Sequence, residues 1–408
     1  MQCRHCRADL KNLFVDLGSS PPSNSYLSKK SLCLPEKWYP LRVLTCNVCW
    51  LVQTEDFVSE DEMFSSEYAY FSSFSSSFLA HVENYVSKMV GRFGLDKTSH
   101  VVEVASNDGY LLQYFAEKDI PCLGVEPTLS TAAMAREKGI EVVTEFFGEK
   151  IALELVAQGK SADLTAANNV LAHVPDINDF VKGFSVLLNP QGVATFEFPH
   201  LVNLVEKSQF DTIYHEHYSY LSLTSVNTIF LANNLAIFDV EEISTHGGSL
   251  RVYAQRLDAG NHEKRLSVDD LLKKEESIGL NSIEYYQGFQ GRAEEIKLSF
   301  LEFLIDCKRK GLSVVGYGAA AKGNTMINFA GVREDLISFV VDKNPAKQDM
   351  FLPGSRIAIK SVEYLRANRP DYIVVLPWNL SDEISAEFSD LADLGTKFVK
   401  FVPQYCLI

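Results

Sequence analysis

Between residues 100 and 200, short apolar runs alternate with stretches of helical periodicity. "HVVEVAS" (100–106) leads to a helix from Tyr110, "CLGVEP" (122–127) to a helix through Ala135, and "EVVTEFF" (141–147) follows. "ADLTAANNV" (162–170), a helix over 176–188 and "VATFEFPH" (193–200) complete the series. Apolar runs of roughly four to eight residues, joined by helices, predict a parallel sheet covered on both faces. In such a sheet ligands bind beyond the carboxyl ends of the strands.

Two more runs, "LAIFDVEEI" (235–243) and "SLRVYAQR" (249–256), flank Thr245-His246-Gly247-Gly248 and predict an antiparallel pair at one edge. Seven strands with such an edge describe an α/β class I methyltransferase, a doubly wound sheet. The ligand signals lie where that fold needs them. Glu103-Val104-Ala105-Ser106-Asn107-Asp108-Gly109 follows the first strand, where small residues let the backbone approach a ligand. Glu126 ends the second strand and suits a carboxylate that accepts both hydroxyls of a ribose. Ala105 and Ser106 replace the G-x-G that a dinucleotide pyrophosphate needs. S-adenosylmethionine has no phosphate, so it is the expected cofactor.

The chain has 408 residues, more than the roughly 250–300 that one core serves. Three segments are expected: a zinc-binding domain over 1–62, the methyltransferase domain over 63–258, and a helical linker with a Rossmann-like domain over 259–408. No apolar run approaches the roughly 20 residues of a bilayer helix. The start, MQCRHCRADL, has no basic region followed by an apolar one, so a cytoplasmic protein with reduced cysteines is expected. With 38 basic and 53 acidic side chains, the net charge of −15 argues against nucleic-acid binding. Any phosphate needs a local cradle.

Cys3-x-x-Cys6 and Cys46-x-x-Cys49 form two knuckles that together give one tetrahedral ion four thiolates. Four thiolates leave no open position, so the zinc is structural. Redox dithiols are the alternative, but neither pair opens a helix after a strand. Next comes "MFSSEYAYFSSFSSSF" (63–78), with aromatics spaced by serines, which reads as a lid or as a connector anchored by its rings.

The last third has polar, helix-forming sequence from Lys264 to Lys310 and then "LSVVGYGAAAKGNTMINFAGV". Gly316-Tyr317-Gly318 and Ala319 to Ala321 permit close backbone approach, the helix that follows offers its N-terminus to an anion, and Lys322 adds a charge. The order Lys322-Gly323-Asn324-Thr325 is not that of a Walker loop. Asp342 ends the next strand as a ribose-binding carboxylate would. Alone, this half suggests NAD. With the first pocket assigned to S-adenosylmethionine, it is expected to grip a sugar nucleotide.

"VVEVASNDGYLLQYF", "ANNVLAHVPDINDFV", "FDTIYHEHYSYLSL", "THGGSLRVY", "VVGYGAAAKGNT" and "LPWNLSDEI", with the two CxxC pairs, resemble the nucleotide-sugar C-methyltransferases of branched deoxysugar pathways. The resemblance runs over essentially the whole chain. It departs at Ala105-Ser106, where the family more often has Gly-Ser. It implies an N-terminal zinc domain, a central S-adenosylmethionine domain and a C-terminal Rossmann-like domain. The implied reaction is methylation of carbon 3 of a dTDP-4-keto-6-deoxyhexose, with carbon 5 as the alternative.

That chemistry explains "DTIYHEHYSY" (211–220). Carbon beside a ketone becomes nucleophilic only after losing a proton, so the enzyme needs a base and a partner for the enolate oxygen. By the resemblance His217 is the base, Glu216 and Tyr214 its partners, His173 a second imidazole, and Tyr68 an aromatic reaching over from the serine-rich segment. His215 is expected to pack structurally, as are His200 and His246. A metal reading of His215-Glu216-His217 is weak, because the two imidazoles would diverge on a helix. The expected cofactor residues are Glu103, Ala105, Asn107, Gly109, Tyr110, Glu126, Pro127, Phe147, Asn168 and Asn169. Those expected at the sugar nucleotide are Tyr317, Gly318, Ala319, Ala320, Lys322, Asn324, Asp342 and Asn379. A small-molecule partner, no nucleic acid, no membrane and a monomeric chain complete the expectation. An NAD-dependent oxidoreductase and a non-catalytic sugar-nucleotide binder are the competing readings.

Overall fold

The computed structural model describes residues 1–57, 73 and 76–408. Tyr68, with most of the aromatic–serine segment, lies outside the described residues.

Three sheets organise the described residues. The first is antiparallel, in the order β1 (Asn12–Ser20), β2 (Tyr39–Thr45), β3 (Val52–Thr54) and β9 (Ser219–Tyr220). Its last strand comes from far along the chain. Val52 pairs with Tyr220 and Gln53 with Ser219, so the segment 211–220 is stitched to the cysteine-bearing region.

The second sheet contains β4 (Val101–Val104), β5 (Cys122–Val125), β6 (Glu141–Val143), β7 (Ala162–Asn168), β8 (Leu188–Pro199), β10 (Leu235–Ile243) and β11 (Ser249–Arg256). Their order is β10-β11-β8-β7-β4-β5-β6. Neighbours from β6 to β8 run parallel, while β11 is antiparallel to both β8 and β10. This is the class I methyltransferase fold. Chain order reverses at β4, which lies between β5 and β7, so the crevice opens above Ala105 and Asn168. The strand expected over 141–147 ends at Val143, and Phe146 and Phe147 belong to the loop after it.

The third sheet runs β14 (Ile359–Lys360), β13 (Val340–Val341), β12 (Val314–Tyr317), β15 (Tyr372–Val375), β16 (Lys397–Lys400) and β17 (Cys406–Leu407). All pairs are parallel except the last. The polar stretch before it forms two helices, Leu266–Ser277 and Phe289–Arg309. Gly279 and Gly288, at φ 85° and 79°, turn the chain between them.

The sheets share cores. One continuous apolar cluster joins Phe14, Val15, Leu41 and Val43 of the first sheet to Phe210 and Ile213 and to Phe289, Phe300, Met326 and Val374 of the last third. Phe14 stacks on Phe289 at 4.4 Å between centroids. Burial on this scale, at about 25 cal/mol per Å² of apolar surface, fixes the first and third sheets as one body around residues 208–220.

Candidate active site

The crevice above β4 is built by backbone curvature. Ala105, Asn107 and Gly109 have φ of 58°, 49° and 74°, and Asn169 has 55°. Gly124 on β5 leaves room for Ser106, because a Cβ there would strike the serine side chain. Glu126 accepts the backbone N–H groups of Asn107 (3.0 Å) and Thr128 (2.8 Å), one on each oxygen. The side chains of Thr128 and Thr131 also lie within hydrogen-bond reach of this carboxylate. Burial raises the Glu126 carboxyl above its usual range and Glu103 further still, with the Tyr110 hydroxyl acting the other way on Glu103. Asn168 is buried, and neither its amide nitrogen nor its oxygen finds a partner among the described residues. A strand-end carboxylate beside a buried amide with both its donor and its acceptor unspent fits S-adenosylmethionine. Tyr110 stacks on Phe78 at 5.3 Å, Pro127 is half-buried, and Phe147 packs into the core against Phe180 and Phe184. Phe146, 44% exposed, is the ring that this loop leaves at the surface.

The imidazole centre lies at the turn 214–217, where the His217 N–H donates to the Tyr214 carbonyl at 2.9 Å. That turn brings two side chains three residues apart face to face. Nδ1 of His217 meets the Thr212 carbonyl at 2.8 Å, a contact only a ring N–H can make. Nε2 therefore carries the lone pair, and the Tyr214 hydroxyl donates to it at 2.9 Å. His173 stands edge-on to His217, with centroids 4.6 Å apart. Burial, then the neighbouring His173, pushes His217 well below the usual imidazole range, and burial lowers His173 to about 4. Both rings are neutral at physiological pH. Glu216, expected as a partner of the base, is placed differently: it accepts from the Asn24 side-chain amide at 2.7 Å, and Thr212 orients His217. Burial raises Glu216 to about 7.

The remaining histidines divide. His215 donates to the Pro40 carbonyl (3.1 Å), and His200 pairs with Glu275 (2.7 Å), both structural contacts as expected. His246 sits in a left-handed turn at φ 54° and is lowered to about 4 by burial and then by Lys322. It faces the cleft.

The third sheet closes the opposite wall. Gly318, at φ 91°, follows β12, and a Cβ there would collide with Pro377 at 2.5 Å. Asp342 accepts the N–H groups of Ala319 and Asn344, both at 2.8 Å, so its carboxylate braces its own loop. The Ala319 carbonyl takes the Tyr26 hydroxyl (2.6 Å) and the Lys347 ammonium (2.9 Å). Ala320 precedes the helix Ala321–Ala330. Lys322, half-buried in its first turn, donates to Asn379 at 3.0 Å and lies over the Trp378 ring at 4.7 Å. The Trp378 indole donates to Asp211 at 2.7 Å, and burial raises that carboxyl to about 6. Asn324 and Thr325 are buried and bond to the carbonyls of Ser23 (3.1 Å) and Ile213 (2.9 Å), clamping the helix to the segment 208–220. Tyr317 packs on Phe388 at 5.1 Å, on the sheet's other face.

Of the expected residues, the structure brings together His217, Tyr214, His173 and Lys322. Sequence reasoning missed Asn24, Tyr26, Asp211, Lys347 and Trp378. Asp211 and Trp378 stood inside quoted stretches, and their chemistry emerges only when the two stretches meet.

The four cysteine sulfurs of Cys3, Cys6, Cys46 and Cys49 lie within 4.8 Å of one another. Cys3–Cys49 and Cys6–Cys46 are each 3.5 Å apart. The edge of a zinc tetrathiolate tetrahedron is about 3.8 Å, so the set fits zinc. The Gln53 amide donates to the Cys3 sulfur (3.2 Å) and the Val48 N–H to that of Cys46 (3.4 Å), contacts that steady thiolates.

Known families match successive parts of the chain: a zinc binding domain over residues 3–64, a methyltransferase domain over 78–240, and a C-methyltransferase C-terminal domain over 244–403. The C-methyltransferase NovU of Streptomyces niveus is 34% identical over 403 residues, spanning 99% of this chain and 96% of that protein. Among solved structures, the magnesium protoporphyrin IX methyltransferase of Synechocystis with bound SAM is 16% identical with a TM-score of 0.34, covering 44% of this chain and 79% of its own. An S-adenosylmethionine-dependent methyltransferase from Clostridium acetobutylicum is 12% identical with a TM-score of 0.36, covering 45% and 92%.

Proposed function

From the premise that the chain belongs to the C-methyltransferase family, we propose that it methylates carbon 3 of a dTDP-4-keto-6-deoxyhexose through an enolate that His217 generates. S-adenosylmethionine, when bound, supplies an electrophilic methyl group on sulfur. Glu126 would hold its ribose, with Asn107, Asn168 and the loop 105–109 around the rest. The single observation that carries the reading is the geometry of His217, whose Nδ1 N–H is spent on the Thr212 carbonyl and whose Nε2 lone pair meets the Tyr214 hydroxyl beside His173.

The chain's own residues do the following. Thr212 fixes the tautomer of His217 so that its lone pair points at Tyr214. A ketosugar entering between them takes the phenol as a hydrogen-bond donor to its carbonyl oxygen, which frees Nε2. His217 then accepts the proton from the carbon beside the ketone, and the electron pair moves onto the oxygen that Tyr214 holds. Donors aimed at such an oxyanion commonly contribute a few kcal/mol. Lys322 brings a positive charge to the same side, held by Asn379 and Trp378. The Gly318–Ala320 loop and the helix after it would take the diphosphate.

The test uses the full-length zinc-loaded protein with dTDP-4-keto-6-deoxyglucose and S-adenosylhomocysteine in D2O. Deuterium should enter at carbon 3, and His217→Asn should abolish the exchange while S-adenosylhomocysteine still binds. Unchanged exchange in that variant, or none in the parent, overturns the reading. Deuterium at carbon 5 moves the methyl there.

A further inference from the structure

Arg4 sits between two of the metal-binding cysteines and is 5% exposed. Its guanidinium donates to the Pro175 carbonyl at 3.3 Å and to the Thr54 carbonyl at 2.9 Å, pairs with Asp56 at 2.8 Å, and lies over the Tyr218 ring at 5.1 Å. Its own backbone N–H is held by Gln53, whose side chain also donates to the Cys3 sulfur. Pro175 is two residues from His173, and Tyr218 follows His217. Thr54 completes the figure: its hydroxyl donates to the His217 carbonyl at 3.0 Å and its N–H to the Tyr218 carbonyl at 3.2 Å. Tyr218 in turn donates to the Ala172 carbonyl at 2.8 Å. Both imidazole-bearing loops are thus fastened to one side chain, and that side chain is placed by the fold of the cysteine knuckle.

We propose that Arg4 is a positioning residue through which the metal clip sets His173 and His217 in register for proton abstraction. The inference rests on His217 being the base. A planar fork is needed, because it reaches two carbonyls on different segments while stacking on a ring. Lysine has one ammonium and cannot. The clip then does more than stabilise its own sixty residues: when the knuckle opens, Arg4 leaves, and the two loops lose the strut between them while Glu126 and Asn168 stay where they are.

The experiment compares Arg4→Ala and Arg4→Lys with the parent, each as the full chain loaded with zinc. Zinc content, S-adenosylhomocysteine affinity by calorimetry and deuterium entry into dTDP-4-keto-6-deoxyglucose are measured on the same samples. Both variants should keep one zinc per chain and the parent's affinity. Exchange at saturating sugar should fall by about ten- to a hundredfold, as displacements near 1 Å do, with the sugar KM little changed. Methylguanidine should restore part of the rate in Arg4→Ala and none in Arg4→Lys. Exchange at the parent's rate in both variants overturns the proposal, and so does loss of exchange together with zinc and cofactor affinity. Histidine ring 15N spectra separate this from failure of the proposed reaction. Arg4→Ala should shift the His217 and His173 signals in the absence of sugar, and unmoved signals overturn the proposal even if the sugar substrate proves to be another.

Discussion

Burial of an ionisable side chain leaves a mark on stability whose sign follows from where the proton sits. Glu216 is held protonated to about pH 7 by burial, against a usual value of 4.5. Between those values the folded chain carries a proton that the unfolded chain has lost, so this group's contribution to stability falls as pH rises from 4.5 to about 7. Above that the full penalty stands. His173, lowered from 6.5 to about 4, works in the opposite sense and costs stability as pH falls through that window. Glu216→Gln keeps an acceptor for Asn24 and removes the ionisation. Urea unfolding should show it more stable than the parent by up to about 3 kcal/mol near pH 8, and equal to it near pH 4.5. A gain that does not change with pH would mean that the carboxyl is not held neutral by its surroundings.

At the scale of elements, the contact that closes the cleft is a turn against a ring. Gly247 lies between β10 and β11 at φ +90°, and a Cβ there would fall on the Trp378 ring and within 2.9 Å of the Gln209 amide. Gly279 has a similar φ of +85° with nothing within 4 Å among the described residues. Gly247→Ala should therefore cost about 2–4 kcal/mol in unfolding experiments, against about 1 kcal/mol for Gly279→Ala, where only the backbone preference acts. Equal costs would mean that the turn does not bear on Trp378. The contrast also marks what a sequence can disclose. β4, β5, β7 and β8 were legible because a strand buried on both faces must be apolar along its length, and the four cysteines because tetrahedral coordination restricts spacing. The first sheet was not legible: β3 finds its outer partner at Ser219–Tyr220, a pairing that no local pattern signals. The same limit hid the roles of Glu216 and Asn24. The family resemblance sets Glu216 beside the base, whereas the turn there pairs Tyr214 with His217 and sends the carboxyl to Asn24.

The whole molecule has cores that cross its segments unevenly, and this decides what the metal holds up. Phe14, Leu41 and Val43 share a cluster with the helix Phe289–Arg309 and with β12 and β15, while Cys3, Cys46 and Cys49 belong to another that reaches Phe196 and Phe230. A third cluster, around Val82, Tyr85, Leu112, Ile140 and Tyr253, contains nothing from the first 57 residues. Tetrathiolate zinc contributes on the order of 10 kcal/mol to a small domain's folding, so chelation should release the first sheet. It should also expose the apolar face that Phe14 and Val15 cover. Hydrogen exchange read by mass spectrometry before and after chelation gives the test. Amides of β1 to β3 and of the helix Phe289–Arg309 should lose protection together, since one core orders both. Amides of the helix Ser76–Phe93 and of β5 should keep theirs, because the helix belongs to this third cluster and Leu123 and Val125 of β5 to a fourth, neither of which contains a residue from the first 57. If residues 289–309 stayed protected while β1 to β3 opened, the last third would be an independent domain. The single body inferred from the shared core would then be wrong.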